Sequence, residues 1–215
     1  MTSTAMLPRI RVKICGLTSP EDALQAVDCG ADGIGLVFYS RSARAVTAAQ
    51  AHKISQAMPV FVSRVGLFVN PTEGEVRAVL QQVHLDCLQF HGEESAEFCA
   101  SFAVPYMKAI RVRPELDVLK EISKYSTSSA ILLDSYDKHF AGGTGSTFDW
   151  RIARHCVEEA GAKIVLAGGL SAANVAEAIR LVAPYAVDVS SGVESELGRK
   201  SRERMSSFFN EVYSV

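Results

Sequence analysis

A thiol, a carboxylate and two glycine-rich turns are the parts of this sequence best suited to chemistry. Cys15 ends the β-branched run from Arg9 and is followed at once by Gly16, so the thiol stands where an extended segment stops. Asp134 ends the apolar run Ile131-Leu132-Leu133, where poor solvation favours the neutral acid. Thiol and carboxyl are the residue types of acid–base and nucleophilic catalysis. Each also has a plainer reading, Cys15 as a small buried hydrophobe and Asp134 as a cap on the loop that follows it. The turns are Ala167-Gly168-Gly169-Leu170-Ser171 and Ser190-Ser191-Gly192-Val193. Glycine lets backbone N–H groups approach an anion, and a following helix N-terminus adds partial positive charge, so both turns read as phosphate sites. Without a ligand they would simply be tight turns. A third cluster, Gly142-Gly143-Thr144-Gly145, follows Asp134 and suits either a flap over substrate or a mobile linker.

Several charged residues fall at the ends of the same extended runs. If Val12 and Ile14 face outward, then Arg11, Lys13 and Cys15 point inward, and the same alternation puts Asp134, Asp188 and Ser190 inward. An enclosed ammonium must be paired or neutral, so Lys13 and Asp188 are expected to form a buried ion pair beneath Cys15. That pairing argues against a Schiff-base role for Lys13 and leaves one open for Lys108. His91, beside Gln89, has the placement of a site residue, and equally that of a structural hydrogen-bonder. Arg41 and Arg44 are either solvated charges or forks for a carboxylate or phosphate entering the mouth. His52, His84, His139 and His155 lack the spacing or carboxylate company of a metal site, so no metal is expected.

Elements that place these residues recur as strand then helix. The extended runs are Arg9 to Cys15, Gly33 to Phe38, Val60 to Val69, Cys87 to Phe90, Tyr106 to Val112, Ala130 to Asp134, Lys163 to Ala167 and Ala186 to Ser190. Thr18-Ser19-Pro20 caps a helix to Cys29, and further helices are read over Thr47 to Met58, Asn70 to Val83, Ser171 to Val182 and Ser201 to Tyr213, with others starting near Ser95 and Glu115. Eight alternating units imply parallel pairing and closure into a (β/α)8 barrel, an α/β fold spanning residues 1–215 with a short extension over 1–8. An open doubly wound sheet is the rival, but the first turn lacks G-x-G-x-x-G. The loops Tyr39 to Ala45, Ser135 to Thr147 and Gly192 to Lys200 all follow strands, on the face where barrels build their sites.

Bulk properties remove other functions. With 22 basic and 24 acidic residues spread along the chain, a net charge of −2 offers no basic stripe for nucleic acid or lipid. No apolar run approaches the roughly 20 residues needed to span a bilayer, and no signal segment precedes the first strand, so a cytoplasmic location is expected. Five cysteines without C-x-x-C spacing read as reduced thiols. The expected partner is a small phosphorylated molecule, with no cofactor, and with monomer and homodimer both open.

Read in order, Lys13-Ile14-Cys15-Gly16-Leu17, Gly35-Leu36-Val37-Phe38, Val65-Gly66-Leu67-Phe68-Val69-Asn70 and Leu88-Gln89-Phe90-His91-Gly92 resemble the phosphoribosylanthranilate isomerases. The resemblance continues through Lys108-Ala109-Ile110-Arg111, Leu132-Leu133-Asp134-Ser135, Gly142-Gly143-Thr144-Gly145, Leu166-Ala167-Gly168-Gly169-Leu170 and Val187-Asp188-Val189-Ser190-Ser191-Gly192-Val193-Glu194. It implies an Amadori rearrangement in tryptophan biosynthesis. Asp134 would be the general acid at the ribose ring oxygen, Cys15 the general base at C2, and Arg44 the anchor of the anthranilate carboxylate. Gly16, Lys13, Gln89, His91 and Asp188 would line the substrate, while Gly168, Gly169, Ser190, Ser191 and Gly192 would hold its phosphate. Two departures stand out: Ser42-Ala43-Arg44 lacks the proline usual before this arginine, and Gly198-Arg199-Lys200-Ser201 puts serine where a capping aspartate is usual. Histidine-pathway isomerases and indole-forming synthases are the enzyme rivals, and a silent phosphate-binding barrel is the rival from another class.

Overall fold

The computed structural model describes residues 9–135 and 147–215, so the expected extension at 1–8 and the flap Gly142 to Gly145 lie outside the described residues. Eight strands close in chain order into one parallel barrel: β1 (Arg11–Cys15), β2 (Gly33–Val37), β3 (Ser63–Phe68), β4 (Cys87–Phe90), β5 (Tyr106–Val112), β6 (Ala130–Ser135), β7 (Ile164–Leu166) and β8 (Ala186–Val189). β8 pairs back onto β1, with Lys13 opposite Asp188. The alternating helices are α1 (Pro20–Asp28), α2 (Ala48–Ala57), α3 (Glu73–Leu80), α4 (Ala96–Ala100), α5 (Val118–Ser123), α6 (Trp150–Glu159), α7 (Val175–Val182) and α8 (Arg202–Tyr213).

Local chemistry sets where the helices begin. Ser19 Oγ accepts from the Asp22 amide ahead of Pro20, and Thr47 and Thr72 form reciprocal capping boxes with Gln50 and Glu75. Ser201 caps α8, its Oγ accepting from the Arg204 amide. Several boundaries correct the sequence reading. The third strand starts at Ser63, not Val60, because Phe61 takes a left-handed φ of 72° in an exposed turn. Asn70 is also left-handed and Thr72 caps the helix, so α3 starts at Glu73. Asp117 caps α5, which moves its start from Glu115 to Val118. The helix expected from Ser171 begins at Val175. The stretch Gly192 to Lys200, read as a loop, forms a 3-10 turn (Ser191–Val193) and two antiparallel strands, β9 (Glu194–Glu196) and β10 (Arg199–Lys200).

Strand alternation divides the core in two. Outward residues such as Ile14, Ile34, Leu36, Phe68, Phe90, Ile131 and Val187 pack under the helices. Inward, Val65, Met107, Ala109, Leu132, Val165, Ala167 and Ala186 fill the barrel with apolar volume. Cys15, Val37 and Leu67 form a smaller cluster nearer the mouth. The apolar plug ends where the polar site starts, and Lys13, Gln89 and Asp188 are the buried polar groups at that boundary.

Candidate active site

One cleft opens among the C-terminal ends of the strands. Its lining includes Cys15 from β1, Arg44 from the loop after β2, Gln89 and His91 from β4 and its end, Asp134 from β6, Gly168 and Gly169 after β7, and Asp188, Ser190 and Ser191 from β8 and its turn. Lys13, Gly16 and Gly192, expected at the site, do not line this cleft: Lys13 pairs with Asp188, Gly16 packs against Arg44 and Ser190, and Gly192 packs against Leu170. Arg11 is exposed at the far end of β1, stacked on Tyr185.

Lys13 Nζ donates to Asp188 Oδ1 at 2.9 Å, as the register of β1 against β8 requires. Both are buried, so the expected ion pair is present under the thiol. Two inward glycines of β2 make room for it. A Cβ at Gly35 would stand 2.7 Å from Cys15 Sγ and 3.1 Å from Lys13 Cε, so glycine there lets ammonium and sulfur share one space. Burial alone would depress the Lys13 ammonium, but the Asp188 carboxylate and the neighbouring Cys15 outweigh it and hold it above the usual lysine range. Burial pushes the Cys15 thiol up, while the Lys13 charge pulls in the opposite direction.

On the facing wall, a short chain of contacts reaches the carboxyl group. Gln89 Nε2 lies 3.1 Å from His91 Nδ1, and His91 Nε2 lies 3.1 Å from Asp134 Oδ2. With the amide donating, Nδ1 accepts and Nε2 carries its hydrogen toward Asp134. Asp134 Oδ1 accepts from the Ser135 amide at 2.9 Å, so the capping role weighed from sequence is real but takes only one oxygen. Gln89 Oε1 is buried with no hydrogen-bond partner among the described residues. A buried orphan acceptor facing a cleft is costly unless a ligand donor meets it.

The glycine turns pack on each other and on the acid. Gly168 and Gly169 have φ of 82° and 65°, and a Cβ on Gly168 would lie 2.9 Å from Asp134 Oδ1. Gly192 approaches Leu170 so closely that a Cβ would meet its carbonyl oxygen at 2.0 Å. Asn174, which the sequence reading missed, closes the β7 turn: its Oδ1 accepts from the Ser171 amide and its Nδ2 donates to the Gly169 carbonyl, both at 2.9 Å. The amide is spent on the turn and not on a helix cap, which explains the late start of α7.

Lys108 and Arg44 depart from expectation. Lys108 faces outward from the barrel and donates to Glu94 Oε2 at 2.9 Å and to the Gly92 carbonyl at 2.5 Å, so it stands under α4, away from the mouth, and the Schiff-base role left open for it is withdrawn. Alternation along β5 puts Met107 and Ala109 inside and Lys108 outside. Arg44 is neither solvated nor free: Nε and Nη2 fork onto Glu194 Oε1 and Oε2 at 2.6 and 2.7 Å. Lys200 Nζ reaches Glu194 Oε1 at 2.8 Å from within the core. Glu194 and Lys200 stand in segments that carry the family resemblance, but no local motif ties Glu194 to Arg44, 150 positions away.

Among the described residues no group of three or more His, Cys, Asp or Glu side chains could hold a metal ion, and no helix is long and apolar enough to cross a membrane.

Comparison with known proteins agrees with this architecture. Residues 12–211 match the family model for N-(5'-phosphoribosyl)anthranilate (PRA) isomerase. The N-(5'-phosphoribosyl)anthranilate isomerase of Hahella chejuensis is 50% identical over 98% of this chain and 97% of its own. The crystal structure of phosphoribosyl anthranilate isomerase from Thermotoga maritima superposes with a TM-score of 0.88 at 39% identity, covering 96% of this chain and all (100%) of that one. A phosphoribosyl anthranilate isomerase in complex with reduced 1-(o-carboxyphenylamino)-1-deoxyribulose 5-phosphate superposes with a TM-score of 0.84 at 38% identity, over 96% of this chain and 100% of that one. With barrel, cleft and sequence all in agreement, the chain belongs to the N-(5'-phosphoribosyl)anthranilate isomerase family.

Proposed function

We propose that this cleft carries out the family's rearrangement of N-(5'-phosphoribosyl)anthranilate to 1-(2-carboxyphenylamino)-1-deoxyribulose 5-phosphate, a step of tryptophan biosynthesis, with Asp134 as general acid and Cys15 as general base. The observation that carries the reading is the convergence of thiol, carboxyl group and two glycine turns on one cleft. Asp134 gives its proton to the ribose ring oxygen as the bond from that oxygen to C1 breaks and the nitrogen lone pair closes a C=N bond. The Cys15 thiolate then takes the C2 proton, the C–H electrons form the C1–C2 double bond as the C=N π electrons return to nitrogen, and the enolamine tautomerises to the ketone. One proton is given and one removed, with no net change in composition.

Neighbouring residues supply what each step needs. Lys13 supports the thiolate, and Asp188 keeps Lys13 charged without a free counterion in the cleft. His91 holds the outer oxygen of Asp134, and Gln89 Oε1 awaits a donor, which a sugar hydroxyl supplies. The turns Gly168-Gly169 and Ser190-Ser191 take the phosphate, with Gly192 permitting their close packing, and Arg44 takes the anthranilate carboxylate, passing over Gly16. A barrel that only binds the phosphosugar would have no use for both a thiol and a carboxyl group in that cleft.

The test follows loss of anthranilate fluorescence on adding substrate to purified protein. Cys15→Ser and Asp134→Asn should each lower kcat by about a hundredfold or more. A wild type that bound the product but turned nothing over would favour the silent barrel.

A further inference from the structure

The guanidinium of Arg44 is engaged by another side chain of the same protein. Its side-on edge, Nε and Nη2, is taken by both oxygens of Glu194 at 2.6 and 2.7 Å. This leaves the end-on edge, one N–H each from Nη1 and Nη2, for a second carboxylate. Glu194 is itself fixed. Lys200 Nζ donates to Glu194 Oε1 at 2.8 Å and to the Ser190 carbonyl at 3.1 Å, with Ser190 Oγ at 3.4 Å, so its three hydrogens have partners. Arg204 Nη1 donates to the Glu194 carbonyl oxygen, tying the backbone to α8. Ser190 Oγ in turn donates to the Cys15 carbonyl at 3.0 Å. The Arg44 side chain crosses the place where a Cβ on Gly16 would lie, 2.4 Å from its Cδ.

This scaffold stands where the loop before Arg44 lacks a backbone restraint. Ser42-Ala43-Arg44 has no proline to limit φ, and locally the Arg44 amide is held only by the Ser42 hydroxyl at 3.1 Å.

We propose that Glu194, locked by Lys200, is a positioning residue that sets specificity for the ring carboxylate of the substrate by presenting only the end-on edge of Arg44 to the cleft. Glu194 does not touch the ligand. It does through an ion pair what a stiffer loop would do through its backbone. The inference rests on the assignment of Arg44 to that carboxylate.

The experiment measures inhibition constants for two compounds, reduced 1-(2-carboxyphenylamino)-1-deoxyribulose 5-phosphate and the same molecule without its ring carboxylate. Glu194→Gln should weaken the carboxylated compound by about tenfold and leave the other within about twofold. A purely electrostatic role predicts the reverse, because removing the negative charge would tighten binding of the carboxylated compound, and that result overturns the proposal. Equal loss for both compounds would reveal a general structural role and also overturn it. Arg44→Met is measured alongside. If it abolishes the preference for the carboxylate while Glu194→Gln does not, only the positioning role fails; if it leaves the preference intact, the assignment of Arg44 fails first. Should Glu194→Gln not fold, Glu194→Asp keeps the charge but shortens the reach by one methylene, and its ratio is read against the same two outcomes.

Discussion

Two buried lysine–carboxylate pairs in this barrel have the same chemistry and the same separation but different surroundings. Lys13 and Asp188 meet at 2.9 Å inside the barrel, and Lys108 and Glu94 meet at 2.9 Å outside it. Around the outer pair, every group is saturated by backbone. Lys108 also donates to the Gly92 and Phe90 carbonyls, while Glu94 accepts from the Asn70 and Gly92 amides. That pair pins the turns after β3 and β4 and points at nothing reactive. The inner ammonium donates to Asp188 and faces the Cys15 sulfur, which shares with it the space above Gly35. The outer pair is saturated by backbone, whereas the inner one keeps donor capacity beside a thiol, which is what the proposed reaction would use.

Removing one partner should have the largest effect, and at both places. Lys13→Met and Lys108→Met each strand a buried carboxylate, at a cost of about 3–5 kcal/mol in denaturant unfolding. Replacing both partners with apolar residues separates the two regions. Lys108→Met with Glu94→Leu should recover much of the stability and keep kcat within about twofold, while Lys13→Met with Asp188→Leu should recover stability and still lose about a hundredfold in kcat. Equal activity in the two double variants would end the distinction drawn here.

A smaller effect is a shift with pH. In the proposed reaction Cys15 would act as a base only when ionised; burial raises its pKa, and Lys13 opposes that rise more strongly than Asp188 adds to it. Loss of the inner pair should therefore move the acidic limb of kcat/KM to higher pH, by about one unit, which corresponds to about 1.4 kcal/mol. Loss of the outer pair should leave the limb in place. A limb that moved down, or moved equally in both variants, would contradict support of the thiolate by Lys13.

The smallest effect belongs to the outer pair alone. Tyr125 donates its hydroxyl to the Glu94 carbonyl at 2.9 Å, and its ring lies 5.5 Å from Lys108 Nζ. Tyr125→Phe keeps the ring and should cost about 1 kcal/mol in stability with no change in kcat.

Much of this was legible in the residue order. Period-two alternation put Cys15, Asp134, Asp188 and Lys13 on the inner face, and the Lys13–Asp188 pair followed because β1 and β8 must meet when the barrel closes. The same alternation along β5 turns Lys108 outward, since Met107 and Ala109 face the interior. Boundaries were harder where composition and conformation disagree: Val60 and Phe61 look like strand and form a turn, and Asn174, inside the segment read as helix from Ser171, braces the glycine turn after β7.

The sequence by itself determined the alternation of strands and helices, the inward thiol and carboxyl group, and the glycine turns, because these depend on spacings of a few residues. Only tertiary structure decided that Arg44 is forked by a glutamate 150 positions away and that His91 stands against Asp134. Contacts of that kind leave no local period or motif, since they arise from barrel closure bringing distant loops over one mouth.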